Sequence, residues 1–117
     1  MDRKAMVRAY REQRPTMGIF QVRNTVSGRV LIGASTDVPA MLNRHQAQLR
    51  MGGHPNRELQ ADWRALGADA FAFEALDTLT PSGAPDADPR ADLKVLERMW
   101  LEKLEPYGER GYHRRPS

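Results

Sequence analysis

The chain has no cysteine, which excludes disulfide staples and every zinc or iron–sulfur centre built on thiolates. It has no apolar run approaching the ~20 residues that cross a bilayer and no signal-peptide core, so a cytoplasmic domain with no membrane partner is expected. No internal repeat is visible, and no zinc-finger or helix-turn-helix pattern accompanies the rest. What it has instead is arginine. The formal charge is +3 over 117 residues, and the cations are grouped: Arg3, Lys4, Arg8, Arg11 and Arg14, then Arg44, Arg50, Arg57 and Arg64, then Arg110, Arg114 and Arg115. Guanidinium groups suit bidentate phosphate contacts, so this grouping is compatible with a polyanionic partner. A hydrophobic share of 40% in a chain this short implies one globular domain with a modest core.

Hydrophobic spacing and turn residues divide the chain. Residues 2–14 read as a basic amphipathic helix with Met6, Ala9 and Tyr10 on one face, closed by Pro15. Met17 to Asn24 and Arg29 to Ser35 read as strands joined by Thr25-Val-Ser-Gly28, a hairpin. Ser35-Thr36-Asp37 supplies caps for a helix from Val38 to Arg50, whose stripe is Val38, Met41, Leu42, His45 and Leu49. After Gly52-Gly-His-Pro55, Asn56 caps a helix carrying Leu59, Trp63 and Leu66, and Gly67 closes it. Ala70 to Leu79 reads as the third strand, Pro81 to Arg90 as a surface loop, and Asp92 to Leu104 as the last helix. The tail is irregular, with Tyr107 and Tyr112 expected to pack back. The order is α-β-β-α-α-β-α.

Within the last helix, Glu97 stands among Leu93, Leu96, Trp100, Leu101 and Leu104 on the face that should be apolar. An ionised carboxylate facing a core costs roughly 3–5 kcal/mol unless a cation or metal answers it. A structural ion pair with an arginine and a metal ligand are both open readings. His45, on an apolar stripe, is either a core histidine or a proton acceptor. His54 is expected to shape its loop, and His113, beside Arg114 and Arg115, to be exposed.

This order of elements, with the words in it, resembles the GIY-YIG nuclease family. Gly18-Ile-Phe20 stands at its first motif, and Leu31-Ile-Gly33 at its second after ten intervening residues. His54-Pro-Asn-Arg-Glu-Leu-Gln-Ala-Asp-Trp63, Gly67 and the Phe71/Phe73 strand look like the branch that includes homing endonucleases. Glu97 with Trp100 matches the late helix, and Gly111-Tyr-His113 the closing motif. The resemblance covers residues 17–113, leaving 1–16 as a basic helix and 114–117 as a tail. It implies an α/β domain with a three-stranded antiparallel sheet flanked by helices, Mg²⁺ or Mn²⁺ held by Glu97, and nucleic acid as partner, DNA rather than RNA.

The same resemblance identifies an altered site. Phe20 and Leu31 stand where the family has tyrosines, and Met41 where it has the arginine that stabilises the transition-state phosphate. His45 and Glu97 match the family pattern, and Arg44 is near enough in the helix to reach the same phosphate. Further expected nucleic-acid contacts are Arg8, Arg11, Arg14, Arg50 and Arg57. Two functions follow from this: an endonuclease with a rearranged site, or a catalytically inactive nucleic-acid-binding relative. A protein-interaction module is a third. Sequence choice is expected either to be poor or to come from a protein partner.

Overall fold

The computed structural model describes residues 16–80 and 86–115. The helix expected over residues 2–14, with Arg8, Arg11 and Arg14, lies outside the described residues. Three strands, β1 (Met17–Asn24), β2 (Val30–Ser35) and β3 (Phe71–Leu79), form one sheet in the order β2-β1-β3 with both pairings antiparallel. Three helices flank it: α1 (Val38–Met51), α2 (Arg57–Leu66) and α3 (Pro89–Leu104).

β1 is central, and helices cover both faces of it, so burial runs unbroken from Gly18 to Val22 rather than alternating, with Gln21 buried among the apolar residues. Ile19, Phe20 and Val22 are all buried. Its hairpin turn is held by Asn24, whose side-chain oxygen accepts from the amides of Val26 (2.9 Å) and Ser27 (3.1 Å). This is the local bonding that makes asparagine a turn residue. On the other side β1 meets β3 with a bulge: Ile19 faces Asp77 and Phe20 faces Ala75, leaving Leu76 as the extra residue. The backbones are close there, and a Cβ on Gly18 would lie 2.0 Å from the Asp77 carbonyl oxygen.

Residues of β1 that point one way, Val22 among them, pack with Leu49 of α1 and Leu59 and Trp63 of α2. Ala70, Phe71 and Tyr112 complete this core, and Leu31 and Phe73 pack against it. Each fully buried leucine or isoleucine contributes on the order of 1.5–3 kcal/mol, so Leu49 and Leu59 anchor α1 and α2. The opposite face, carrying Ile19 and Ile32, receives α3 through Leu93, and Trp100 Nε1 donates to Asp77 Oδ2 at 3.0 Å.

Two expectations change. α3 starts at Pro89 rather than Asp92, because Asp88 accepts from the Ala91 amide as N-cap and Pro89 suits the first helical position. Leu66 is 44% exposed, since α2 ends there and Gly67 turns the chain away from the core. Among the described residues, no helix is long and apolar enough to cross a membrane.

The remaining problem for a three-stranded sheet is its edge. β2 has no strand beyond it, so alternate amides and carbonyls of β2 point away from β1. The C-terminal segment answers part of that edge: the Tyr112 amide donates to the Val30 carbonyl at 3.0 Å. The segment is locked by the Tyr112 hydroxyl, which donates to Asp62 Oδ2 (2.8 Å) and accepts from Asn24 Nδ2 (3.1 Å).

Candidate active site

Two outward amides of β2 lie one on each side of Gly33. The Ile32 amide donates to His113 Nε2 at 2.9 Å, and the Ala34 amide donates to Glu97 Oε2 at 3.1 Å. Two residues along a strand span roughly 6.6 Å, so the sheet edge sets the imidazole and the carboxylate side by side. This corrects two expectations. The group opposite Glu97 is a backbone amide rather than an arginine, and no ion pair involves Glu97 among the described residues. His113 is half-buried rather than exposed, because it caps an edge amide that would otherwise lose its hydrogen bond. Burial lowers the His113 pKa, against the upward pull of the neighbouring Glu97 charge. Nε2 accepts, so the ring proton of neutral His113 is on Nδ1.

On the α1 side of Gly33 the arrangement is different. Phe20 is 5% exposed and its ring crosses Gly33, where an added Cβ would meet the ring at 2.7 Å. A larger residue there would force the Phe20 ring to move. The His45 ring lies 5.1 Å from that of Phe20, and His45 Nδ1 is 2.8 Å from His54 Nε2. His54 Nδ1 in turn accepts from the Asn56 amide at 3.0 Å.

These contacts decide where the protons are. A neutral imidazole has one N–H and one lone pair. His54 spends its lone pair on Asn56, so its Nε2–H donates to His45 Nδ1. The lone pair of His45 is thereby used, and its own proton sits on Nε2. Burial, then the charges of His54 and Arg44, push the His45 pKa down to about 4, so at neutral pH His45 is an uncharged donor. In this arrangement it has no lone pair with which to accept a proton from water, the second of the two readings open for it.

His54 thus does more than shape a loop. It is 6% exposed, and burial lowers its pKa against the upward effect of the Asn56 amide. Its amide donates to Gln60 Oε1 at 3.0 Å, and Gln60 Nε2 donates to the Leu49 carbonyl at 3.1 Å. Nine positions separate the two histidines, and no sequence period pairs them; the left-handed Gly52 that closes α1 reverses the chain and brings His54 back.

The other expected site residues fall into three settings. Leu31 packs into the α1/α2 core, and Met41 is half-buried on α1. Arg44 is exposed, with its charge felt at His45. Arg50 is exposed in the last turn of α1, and Arg57, also exposed, opens α2 and lines a groove beside His113. The structure therefore gathers Phe20, His45, His54 and Arg44 on one side of Gly33 and Glu97 and His113 on the other. Tyr112 offers no free hydroxyl: both its hydrogen bonds are made, and its pKa is pushed up to about 12, chiefly by burial.

Among the described residues, no three His, Asp or Glu side chains converge on a point, so no all-protein metal cage exists there. The donor set is one carboxylate, one of whose oxygens, Oε1, makes no hydrogen bond among the described residues. That set fits a hard divalent ion that keeps several waters and takes one or two carboxylates.

No family signature matches the sequence, and no curated protein matches it. Solved structures do. The catalytic domain of the homing endonuclease I-TevI is 25% identical with a TM-score of 0.65, over 82% of this chain and 95% of that one. A mutant of the catalytic domain of the intron endonuclease I-TevI is 22% identical with a TM-score of 0.62, over 77% and 84%. The fold is GIY-YIG-like: a three-stranded antiparallel sheet with three helices, as in the I-TevI catalytic domain.

Proposed function

We propose that residues 17–113 act on DNA as a divalent-metal-dependent phosphodiester hydrolase with an altered active site. The observation that carries this reading is Glu97. A neutral glutamine could accept from the Ala34 amide equally well, so the fold needs an acceptor at that position but not a charge. Retaining a half-buried charge costs stability and leaves one carboxylate oxygen available. Glu97 would hold Mg²⁺ or Mn²⁺, which when bound supplies a Lewis acid and an activated water.

The chain's own residues then divide the rest of the work. The His45 Nε2–H donates to a phosphate oxygen, with its tautomer held by His54. Arg44 adds positive charge at the same phosphate. Phe20, Leu31 and Met41 exclude water and neither exchange protons nor donate. Losing one preorganised donor typically costs ~10²–10³ in rate, and losses at one site are not additive, so turnover is slow. We place the domain in the cytoplasm, with sequence choice supplied by a protein partner.

The second reading is nucleic-acid binding without hydrolysis, which the hydrocarbon at Phe20, Leu31 and Met41 favours. Nicking of supercoiled plasmid and of labelled single strands in Mg²⁺ or Mn²⁺, beside Glu97→Ala and His45→Ala, decides between them. Metal-dependent nicking that Glu97→Ala abolishes is the expected result. Salt-sensitive binding with no nicking by the wild-type chain would replace the first reading with the second, and neither nicking nor binding would remove both.

A further inference from the structure

Beside His113, on the side away from Glu97, a groove of about 1480 Å³ lies between the hairpin turn, the start of α2 and the C-terminal segment. Its walls carry Arg29, Arg57, Arg114 and Arg115 against Glu58 and Glu109. These charges do not cancel. Arg29 is consumed within the wall: it pairs with Glu58 at 2.5 Å and Asp62 at 3.3 Å, and donates to the Gly111 carbonyl. Glu58 is neutralised by the same contact. Arg57, Arg114 and Arg115 are exposed and form no ion pair among the described residues, leaving Glu109 as the one opposing charge.

The groove's chemistry is also narrow. Single-strand readers stack bases on exposed rings, but Tyr112 is 4% exposed and the Arg29 guanidinium sits 4.3 Å over its ring. The Asn56 side chain is spent on the Tyr112 carbonyl and the Leu59 amide. What remains is guanidinium charge with little to read a base. Phosphate contacts of that kind position a strand without selecting its sequence.

We propose that this groove is a sequence-independent track for the phosphodiester backbone flanking the scissile bond, with Arg57, Arg114 and Arg115 as its contacts. His113 is the wall shared by the track and the Glu97 site. The track rests on the nucleic-acid reading above and adds where the strand runs.

The test is fluorescence anisotropy with the full chain in EDTA, using a labelled 20-base-pair duplex of two unrelated sequences and the corresponding single strands over a salt series. Arg57→Gln/Arg114→Gln/Arg115→Gln should bind on the order of 10–100-fold more weakly. The slope of log K against log salt should become shallower by about 2–3, at roughly 0.9 per phosphate contact on a duplex and 0.7 on a single strand. The loss should be the same for both sequences. Arg114→Gln/Arg115→Gln, confined to the exposed tail, should shift the slope by about 2 without touching α2. Arg90→Gln/Lys94→Gln/Arg98→Gln, equal in charge and on α3, should stay within about threefold of wild type. Greater loss on duplex or on single strand identifies which form supplies the backbone, and either supports the track. Unchanged affinity and slope in the groove variants, with salt-sensitive wild-type binding, would overturn the track and leave the nucleic-acid reading standing. No binding by the wild-type chain would overturn both.

Discussion

The two sides of Gly33 satisfy their polar groups in opposite ways. On the α1 side the histidines satisfy each other: Asn56 donates to His54, His54 to His45, and Phe20 and Leu31 fill the remaining space with hydrocarbon. At the β2 edge the polar side chains satisfy the backbone instead. His113 and Glu97 accept from Ile32 and Ala34, and the carboxylate has an oxygen to spare. The lesson is that capping an edge amide with a carboxylate preserves binding capacity, because the amide takes one lone pair of a group that has several, whereas His113 spends its only lone pair on Ile32. A closed chain of imidazoles uses up its lone pairs and offers the outside only a proton.

The comparison breaks most visibly at Glu97. Replacement by alanine should lower metal-dependent cleavage by at least ~10²-fold, whereas Glu97→Gln should lose cleavage equally and keep the Ala34 hydrogen bond. Plasmid-nicking rates read beside urea denaturation will show whether charge and capping separate; a Glu97→Gln protein that still cuts would mean the charge is dispensable. Next in size is His54→Ala, which removes a buried ring and strands both the Asn56 amide and His45 Nδ1. It should destabilise the fold by about 1–3 kcal/mol in urea titrations. Glu97→Gln should cost less than that, and the reverse order would mean that the charge at position 97 holds the fold more firmly than the histidine pair does.

Acid should act on both sides of Gly33, because burial lowers the pKa of His113 as well as those of His45 and His54, with the large shift at His45. The folded-state pKa of His45 lies near 4, below its usual 6.5, so the unfolded chain binds the extra proton first. This contribution to stability is full above about pH 6.5 and is lost as pH falls towards 4. It amounts to on the order of 2 kcal/mol once discounted for the ring's contact with water. His45→Gln should flatten urea midpoints across that window, and an unchanged acid slope would remove the imidazole from the account. A smaller change, a rise of about tenfold in cleavage rate, is expected from Phe20→Tyr, whose hydroxyl would extend from the ring carbon lying over Gly33 and add a polar group to that side of the site; an unchanged rate would mean that a hydroxyl there adds nothing. Smallest is Arg44→Ala. An exposed side chain should cost under about 0.5 kcal/mol of stability and a few-fold in rate, measured by single-turnover nicking.

Much of the fold was legible because its signals are local. Short apolar runs bounded by turn residues mark β1 and β2, alternation marks β3, helical stripes mark α1 and α2, and Asn56, Gly52 and Gly67 end or begin helices through their own backbone preferences. Pro89 reads as part of a loop because a proline after an aspartate fits a loop and a capped first turn equally well. Glu97 was legible as an anomaly, a carboxylate in an apolar stripe, but its partner was not. Nothing in one sequence links position 97 to an amide at position 34.

Residue types and their spacing alone establish the element order, the GIY-YIG-like resemblance, the apolar side chains at positions 20, 31 and 41, and the carboxylate at 97. Each of these is a property of residue type or of spacing within one element. What those residues do to one another depends on how the segments pack. It set Glu97 and His113 on alternate amides of the β2 edge, and it assigned the His45 proton to Nε2 through His54. The reason is that hydrogen-bond partners and tautomers depend on distances between segments, and those distances exist only once the sheet edge has formed and α1, α2 and α3 have packed around it.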